Sequence, residues 1–530
     1  GTNPASLTLA GYDAVEATGT ISGLLPLDVG SAGITMRRGM LAAKAPGGVF
    51  RYSSEIAPGT NAAMVQAMQA LSNYHYSVFQ AEADYLETGD LELRMVLRGL
   101  NPDMDDARPI HLNLNVRGMR PSATVAINER CNAMLAEGRE IYKLGLGQSP
   151  FPVPEPVVNE LRAHAHEKDY LPVTGLHRLR DAVADYHRRR DGVSCNGDDV
   201  LIGPGSKELM FILQLVYYGD LVIPTPAWVS YAPQARIIGR NVVMLPTDAS
   251  NNWQITPQQL DAMCEEDPGK PRLLILNYPS NPTGRTYNAS ELEALAAVAR
   301  RHRIILLSDE IYGETHHRGE HLSISRWYPE GTIVSSGLSK WCGAGGWRLG
   351  TFTFPQQLRW LLQAMASVAS ETYTSTSAPI QYAAVRAFEG GTEIERYLWQ
   401  SRRILAALGQ WIAKQLNGAG IRTLEPAGGF YLFPDFTGLA ASLASRDIRD
   451  SATLCQSLLA DSGVAILPGA DFGRPPSELT ARLAYVDFDG ARVLAALEQL
   501  EDEADLDEDF LNHYCVNVVT AIRRLCDWVN

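Results

Sequence analysis

The stretch Ile304-Ile305-Leu306-Leu307-Ser308-Asp309-Glu310-Ile311-Tyr312-Gly313 decides the fold. Four apolar residues in succession, too few for a helix, read as a strand buried on both faces. The longer amphipathic run from Ala289 to Arg303 precedes them and predicts a helix. The same alternation recurs on either side. Val200-Leu201-Ile202, Leu221-Val222-Ile223, Leu273-Leu274-Ile275-Leu276 and Thr332-Ile333-Val334 are further short apolar runs, separated by helical patterns. Apolar strands alternating with helices predict an α/β chain with a mostly parallel sheet covered on both faces. No repeat of fixed period interrupts it. In such sheets ligands sit beyond the carboxyl ends of the strands, so the residues that follow each run carry the functional reading.

After Ile202 comes Gly203-Pro204-Gly205-Ser206-Lys207-Glu208, small residues opening a helix, whose free backbone N–H groups suit a phosphate. After Ile223 comes Pro224-Thr225-Pro226-Ala227-Trp228-Val229-Ser230-Tyr231. There Trp228 either stacks on a flat heterocycle or fills the core. After Leu276 comes Asn277-Tyr278-Pro279-Ser280-Asn281-Pro282-Thr283-Gly284, a non-helical turn that holds the Asn281 amide in a fixed place or is a plain structured loop. Asp309 and Glu310 leave their strand as adjacent carboxylates. These are costly beside an apolar strand unless a cation waits for them, and otherwise form a solvated loop. After Val334, Ser335-Ser336-Gly337-Leu338-Ser339-Lys340-Trp341-Cys342-Gly343-Ala344-Gly345-Gly346-Trp347-Arg348-Leu349-Gly350 offers an amine nucleophile near an anion clamp.

In this order the segments resemble those of fold-type I pyridoxal-phosphate enzymes, specifically class I/II aminotransferases, over residues 116–495. The N-P-T-G, D-E-I-Y and S-K…G-G-W-R-L-G segments carry the likeness. The resemblance implies an aspartate aminotransferase-like fold with a mostly parallel central sheet and a smaller α+β domain. Residues 166–395 would form the large domain, 116–165 and 396–530 the small one with an acidic helical tail, and 1–115 an N-terminal extension.

It implies pyridoxal 5′-phosphate as cofactor, with Lys340 as its Schiff-base lysine and proton shuttle, Asp309 against the pyridine nitrogen, and Tyr312 and Asn281 on the ring hydroxyl oxygen. Arg348, Ser206 and the backbone around Gly205 and Lys207 would hold the phosphate, Trp228 would stack on the ring, and Tyr170 would reach the phosphate of a neighbouring subunit. That implies a homodimer or a higher homo-oligomer. Arg482 would grip the substrate α-carboxylate, with Gly147 and Asn281 against the substrate and Gly428-Gly429-Phe430-Tyr431 lining the site. Two departures stand out. Gly147-Gln148-Ser149 replaces the family's G-E-P, and Gly337 stands where relatives carry a phosphate-binding serine, leaving Ser336 or Ser339 to compensate.

Composition bounds the partners. The chain has 530 residues and a net charge of -14, from 60 acidic and 46 basic residues. Such a balance opposes nucleic-acid polymers and anionic membranes while allowing a local basic pocket. The apolar stretches are too short or too interrupted for a membrane span. The seven cysteines, Cys131, Cys195, Cys264, Cys342, Cys455, Cys515 and Cys526, show no C-x-x-C pairing and read as free thiols in a reducing compartment. Gly1-Thr2-Asn3-Pro4 has no basic region leading into an apolar one, so no signal peptide is expected and the location reads as cytoplasmic.

The expected partners are an amino acid and a second small molecule; no metal site is read. The expected activity is transamination of an α-amino acid through a substrate–cofactor Schiff base and loss of the α-proton. The alternative is elimination, γ-replacement or C–C bond formation of the 1-aminocyclopropane-carboxylate synthase kind, possible with S-adenosylmethionine; a non-catalytic regulator is a third reading. The leading zone, with Arg37-Arg38, Asn73-Tyr74-His75-Tyr76 and the run Ala62 to Leu71 bearing Met64 and Met68, reads as a helical appendage. It would stabilise an oligomer or narrow the active-site mouth.

Overall fold

The computed structural model describes residues 15–24, 27–30, 33–43, 47–52, 72–85, 91–104, 110–113, 123–501 and 504–530. The chain divides into two units, residues 1–119 and 120–530.

The described part of the first unit is strand, and the expectation of a helical appendage is corrected there. β1 (Val15–Ala17), β2 (Ile21–Leu24), β3 (Leu27–Gly30), β4 (Gly33–Ala43), β5 (Gly48–Tyr52), β6 (Tyr74–Tyr85), β7 (Leu91–Leu100) and β8 (Ile110–Asn113) form one antiparallel sheet. Arg37 and Arg38 lie in β4, and Tyr74, His75 and Tyr76 in β6. The period-2 sequence Leu91-Glu92-Leu93-Arg94-Met95 suits a strand and outweighs the local Ala and Met content. The run with Met64, Met68 and Leu71 lies outside the described residues.

The second unit opens with the helix Ala123–Ala136 and the short strand β9 (Tyr142–Lys143). Its centre is a seven-stranded sheet of β10 (Val200–Gly203), β11 (Asp220–Thr225), β12 (Val242–Pro246), β13 (Arg272–Asn277), β14 (Ile305–Asp309), β15 (Thr332–Gly337) and β16 (Gly350–Thr353). The spatial order is β10-β16-β15-β14-β13-β11-β12. β16 pairs antiparallel with both of its neighbours, and the other pairings are parallel. All five residues of β14 are buried, as a strand covered on both faces requires. Separate apolar clusters lie on the two faces, one around Leu273, Leu307 and Phe352, the other around Leu274, Leu306 and Leu292 of the helix Ala289–Arg301. Asn288 caps that helix with a reciprocal Glu291 contact, which satisfies two of its orphan N–H groups.

A smaller layer follows the 27-residue helix Thr392–Gly418. β17 (Tyr431–Leu432), β19 (Leu467–Pro468) and β20 (Ala481–Ala484) make a small antiparallel sheet, and β18 (Val464–Ala465) pairs with β9. The expected apolar-periodic C-terminal segment forms the helices Glu508–Tyr514 and Val516–Val529. The seven cysteines are free thiols. Among the described residues, no helix is long and apolar enough to cross a membrane, and no cluster of metal-ligating side chains occurs.

The topology converges the sequence motifs. Strands β10, β11, β13, β14 and β15 all end at one edge of the sheet, and the antiparallel β16 begins there. The turns carrying Ser206, Trp228, Asn281, Asp309, Lys340 and Arg348 therefore leave from a common edge.

Candidate active site

One end of the site is built for an anion. Helix Ser206–Val216 starts after Gly205, which has φ 95° and leaves the helix without a side-chain cap. Arg348, itself left-handed at φ 56°, reaches Gly205 from the start of β16. Its Nη1 donates to Gly345 O at 2.8 Å and its Nη2 to Pro204 O at 3.3 Å. A Cβ on residue 205 would collide with that guanidinium, so both the backbone angle and the space demand glycine. Lys207 sits beside Arg348, its Nζ 5.3 Å from the Trp228 ring centre. Burial, and then Arg348, lower its pKa. Two cations and a helix N-terminus in one place favour a phosphate.

The middle of the site is a carboxylate. Asp309 is 3% exposed. Tyr231 Oη donates to its Oδ2 at 2.5 Å and Ser335 Oγ to its Oδ1 at 3.2 Å. The sheet register aligns Asn277, Asp309 and Ser335 across β13, β14 and β15. Asn277 Nδ2 donates to the Asp309 carbonyl at 2.8 Å. Burial pushes the Asp309 carboxyl up to about 6 against these donors. No cation among the described residues forms an ion pair with it. The Trp228 ring packs edge-on to Tyr231, with centres 5.3 Å apart.

The third part joins Lys340 to the smaller layer. Lys340 Nζ donates to Gly147 O at 2.9 Å and lies 5.5 Å from the Tyr312 ring centre and 5.8 Å from that of Phe430. The Tyr312 and Tyr431 hydroxyls are 2.8 Å apart. A Cβ on Gly147 would strike the Tyr431 ring, which explains why the position lacks a side chain.

Arg482 of β20 is 1% exposed, and burial lowers its pKa. Its Nη1 donates to Asn281 Oδ1 at 3.2 Å and its Nη2 to Gly145 O. Its Nε is buried without a partner, and no carboxylate among the described residues is in ion-pair contact with it. A buried, half-satisfied guanidinium calls for a planar anion.

The remaining sequence-derived residues fall as follows. Ser339 is half-buried next to Lys340, and Ser336 is buried near the end of β15. Gly337 ends β15 opposite Gly350, and a Cβ there would stand 2.7 Å from Leu349 O. Tyr170 is 89% exposed and stands apart in solvent. Sequence reasoning assigned no role to Tyr231, Ser335 or Gly145. Tyr231 had a signal, since it follows Trp228 by one helical turn.

The donor set fits a cofactor with a phosphate at one end and a ring nitrogen opposite Asp309. The buried carboxylate without an internal cation and the cationic cradle at Gly205 are the observations that test this. The family model for aminotransferase class I and II matches residues 139–495. The chain belongs to this family.

The asparagine–oxo-acid transaminase of Streptococcus mutans is 31% identical over 71% of this chain and 94% of its own length. The aspartate aminotransferase of Geobacillus stearothermophilus is 32% identical over 70% and 93%. Among solved structures, the aspartate aminotransferase of Thermus thermophilus with maleate superposes with a TM-score of 0.67 at 28% identity, covering 78% of this chain and 99% of that one. Residues 7–118 match a different family model, YdbH-like, described as intermembrane phospholipid transport protein YdbH. The aminotransferase therefore has the aspartate aminotransferase fold and depends on pyridoxal 5′-phosphate. The relatives do not favour the elimination reading.

Proposed function

We propose that this aminotransferase moves the amino group of aspartate or asparagine to a 2-oxo acid. The names of its relatives support the donor class, and the buried Arg482 without a carboxylate partner carries the reading. Arg482 would grip the α-carboxylate with Asn281 beside it, and the Gly147 backbone would lie against the substrate. When bound, the cofactor supplies an electron sink for the substrate carbanion.

The chain's own residues do the rest. The Lys340 amine would hold the cofactor until the substrate amine displaces it, and once free would take the proton from the substrate α-carbon and return it. Its contact with Gly147 O keeps Nζ beside the substrate position. Asp309 would keep the ring nitrogen protonated. Tyr312 and Asn281 would donate to the ring hydroxyl oxygen, and Tyr431 fixes the Tyr312 hydroxyl. Arg348, Ser206, Lys207, Ser339 and the backbone at Gly205 would hold the phosphate, and Trp228 would pack on the cofactor. Tyr170 serves the phosphate of a second copy in a homodimer, which its exposure supports. The seven free thiols support a cytoplasmic setting.

Purified protein with cofactor should form oxaloacetate from aspartate in the presence of 2-oxoglutarate, and lose that turnover in Arg482→Ala. Release of ammonia and 2-oxo acid with no acceptor present would replace transamination by elimination. Light scattering should give a dimer or larger, and an active monomer would remove Tyr170 from the site.

A further inference from the structure

We propose that Tyr231 is a positioning residue: its hydroxyl holds Asp309 as an ionised acceptor with one lone-pair direction left for the cofactor's ring nitrogen. The proposal rests on the assignment of Asp309 to that nitrogen.

A carboxylate offers about four lone-pair directions. Tyr231 takes one on Oδ2 at 2.5 Å, Ser335 one on Oδ1 at 3.2 Å, and the Ile311 backbone N–H donates as well. The backbone behind the carboxylate is fixed by the β13–β14–β15 register and by Asn277. Tyr231 is also fixed. It is 2% exposed, begins the helix Tyr231–Ile237, and packs edge-on to Trp228. One turn of chain thus carries both the aromatic face for the ring and the clamp on the carboxylate.

Among the described residues, no cation is a leading influence on the Asp309 carboxyl. Glu310, the next residue of the chain, raises its pKa, and the Tyr312 and Tyr231 phenols are both held well above their ordinary value by burial. Tyr231 therefore keeps its proton and donates it. Three neutral donors are what keep a fully buried carboxyl from rising beyond about 6. The shortest of them has the greatest leverage.

The test is the cofactor dissociation constant of the full chain, stripped and retitrated with pyridoxal 5′-phosphate across pH 5–9. An ionised Asp309 accepts the protonated ring directly, whereas a protonated one must first lose its proton. Affinity therefore weakens below the carboxyl's pKa. Wild type should show this break near 6. Tyr231→Phe should move it up by about one unit, giving binding that weakens progressively between the two breaks to about tenfold below both, and near-equal binding above both. Ser335→Ala, removing the longer donor, should move it the same way by less, and remains informative if Tyr231→Phe does not fold.

An equal loss at every pH, or an unmoved break, overturns the proposal, because a merely structural tyrosine would act uniformly. Asp309→Asn separates the two levels. It should abolish the break, and a break that survives in this variant overturns the Asp309 assignment itself.

Discussion

Asp309 and Glu310 leave β14 together, are buried alike at 3% and 6% exposure, and meet opposite surroundings. Glu310 turns to a site completed by the protein. His321 Nε2 lies 2.8 Å from its Oε2, and Ser308 and Ser323 donate to Oε1 at 2.7 and 2.6 Å. Asp309 receives only neutral donors and keeps no ion pair among the described residues. The arginines repeat the contrast. Arg474 makes two 2.8 Å contacts with Glu478, whereas the more deeply buried Arg482 keeps an unpartnered Nε. A buried charge matched internally belongs to the fold. One left unmatched is costly to the empty protein and is compensated only by a ligand. The two unmatched charges lie where the ring nitrogen and the substrate carboxylate are expected.

The largest break in this comparison is removal of Lys340, whose amine lies against Gly147 and the Tyr312 ring. Lys340→Ala should lower turnover by at least about 10²–10⁴-fold, the usual worth of a positioned proton-transfer group. Borohydride should then no longer fix the cofactor to the chain. Mass spectrometry that finds the label on another lysine in wild type ends the assignment.

Asp309→Ala follows. A buried charge pair deprived of one partner loses about 3–5 kcal/mol, so turnover and cofactor affinity should fall by about 10²–10⁴-fold. Wild-type turnover in this variant would contradict the role. The same carboxyl makes a pH prediction for the cofactor-free protein. Its pKa is raised from 3.8 to about 6 on folding, so the protonated form favours the fold. That contribution is complete below about 4 and is lost as pH rises through about 6, on the order of 3 kcal/mol. Denaturant titration should show the loss in wild type and none in Asp309→Asn.

Arg482→Ala should be somewhat milder, costing about one to two orders of magnitude in kcat/KM, as expected for charge-assisted hydrogen bonds to one carboxylate. A change in kcat with KM for the amino acid untouched would move the carboxylate elsewhere.

The catalytic half of this arrangement was legible because its strands are fully apolar and the functional residues stand at their ends. Lys340, Asp309, Asn281 and Arg348 stand directly after those runs, and the resemblance to class I/II aminotransferases supplied the roles proposed for them. The antiparallel β16 was less visible, since Gly350 and Thr351 break its apolar character. The Tyr231–Asp309 contact was out of reach because a period-3 aromatic pair says nothing of where a hydroxyl points. The first unit was misread for a different reason. Ala and Met content suggested helix, but strands such as β6 and β7 are held by cross-strand pairing, a non-local constraint that composition does not report. The His321 partner of Glu310 lies eleven residues away beyond a 3₁₀ turn, and no local pattern joined them.

Glu310→Gln sharpens the comparison from the other side and should have the smallest effect on turnover. It leaves the His321 imidazole buried without its carboxylate, so the cost falls on stability, again about 3–5 kcal/mol, while kcat per folded molecule stays within a few-fold of wild type. The pH dependence identifies the pair. Glu310 raises the His321 pKa above its ordinary value of 6.5, against the opposing effect of burial. A raised histidine contributes stability that is complete below its unfolded value and is lost as pH rises through its folded one. Wild type should therefore lose stability above about pH 6.5 in a way that Glu310→Gln does not. If Glu310→Gln instead lowers kcat as far as Asp309→Ala while leaving the unfolding curve unchanged, then both carboxylates serve the chemistry, and the division between matched and unmatched charge at the end of β14 does not hold.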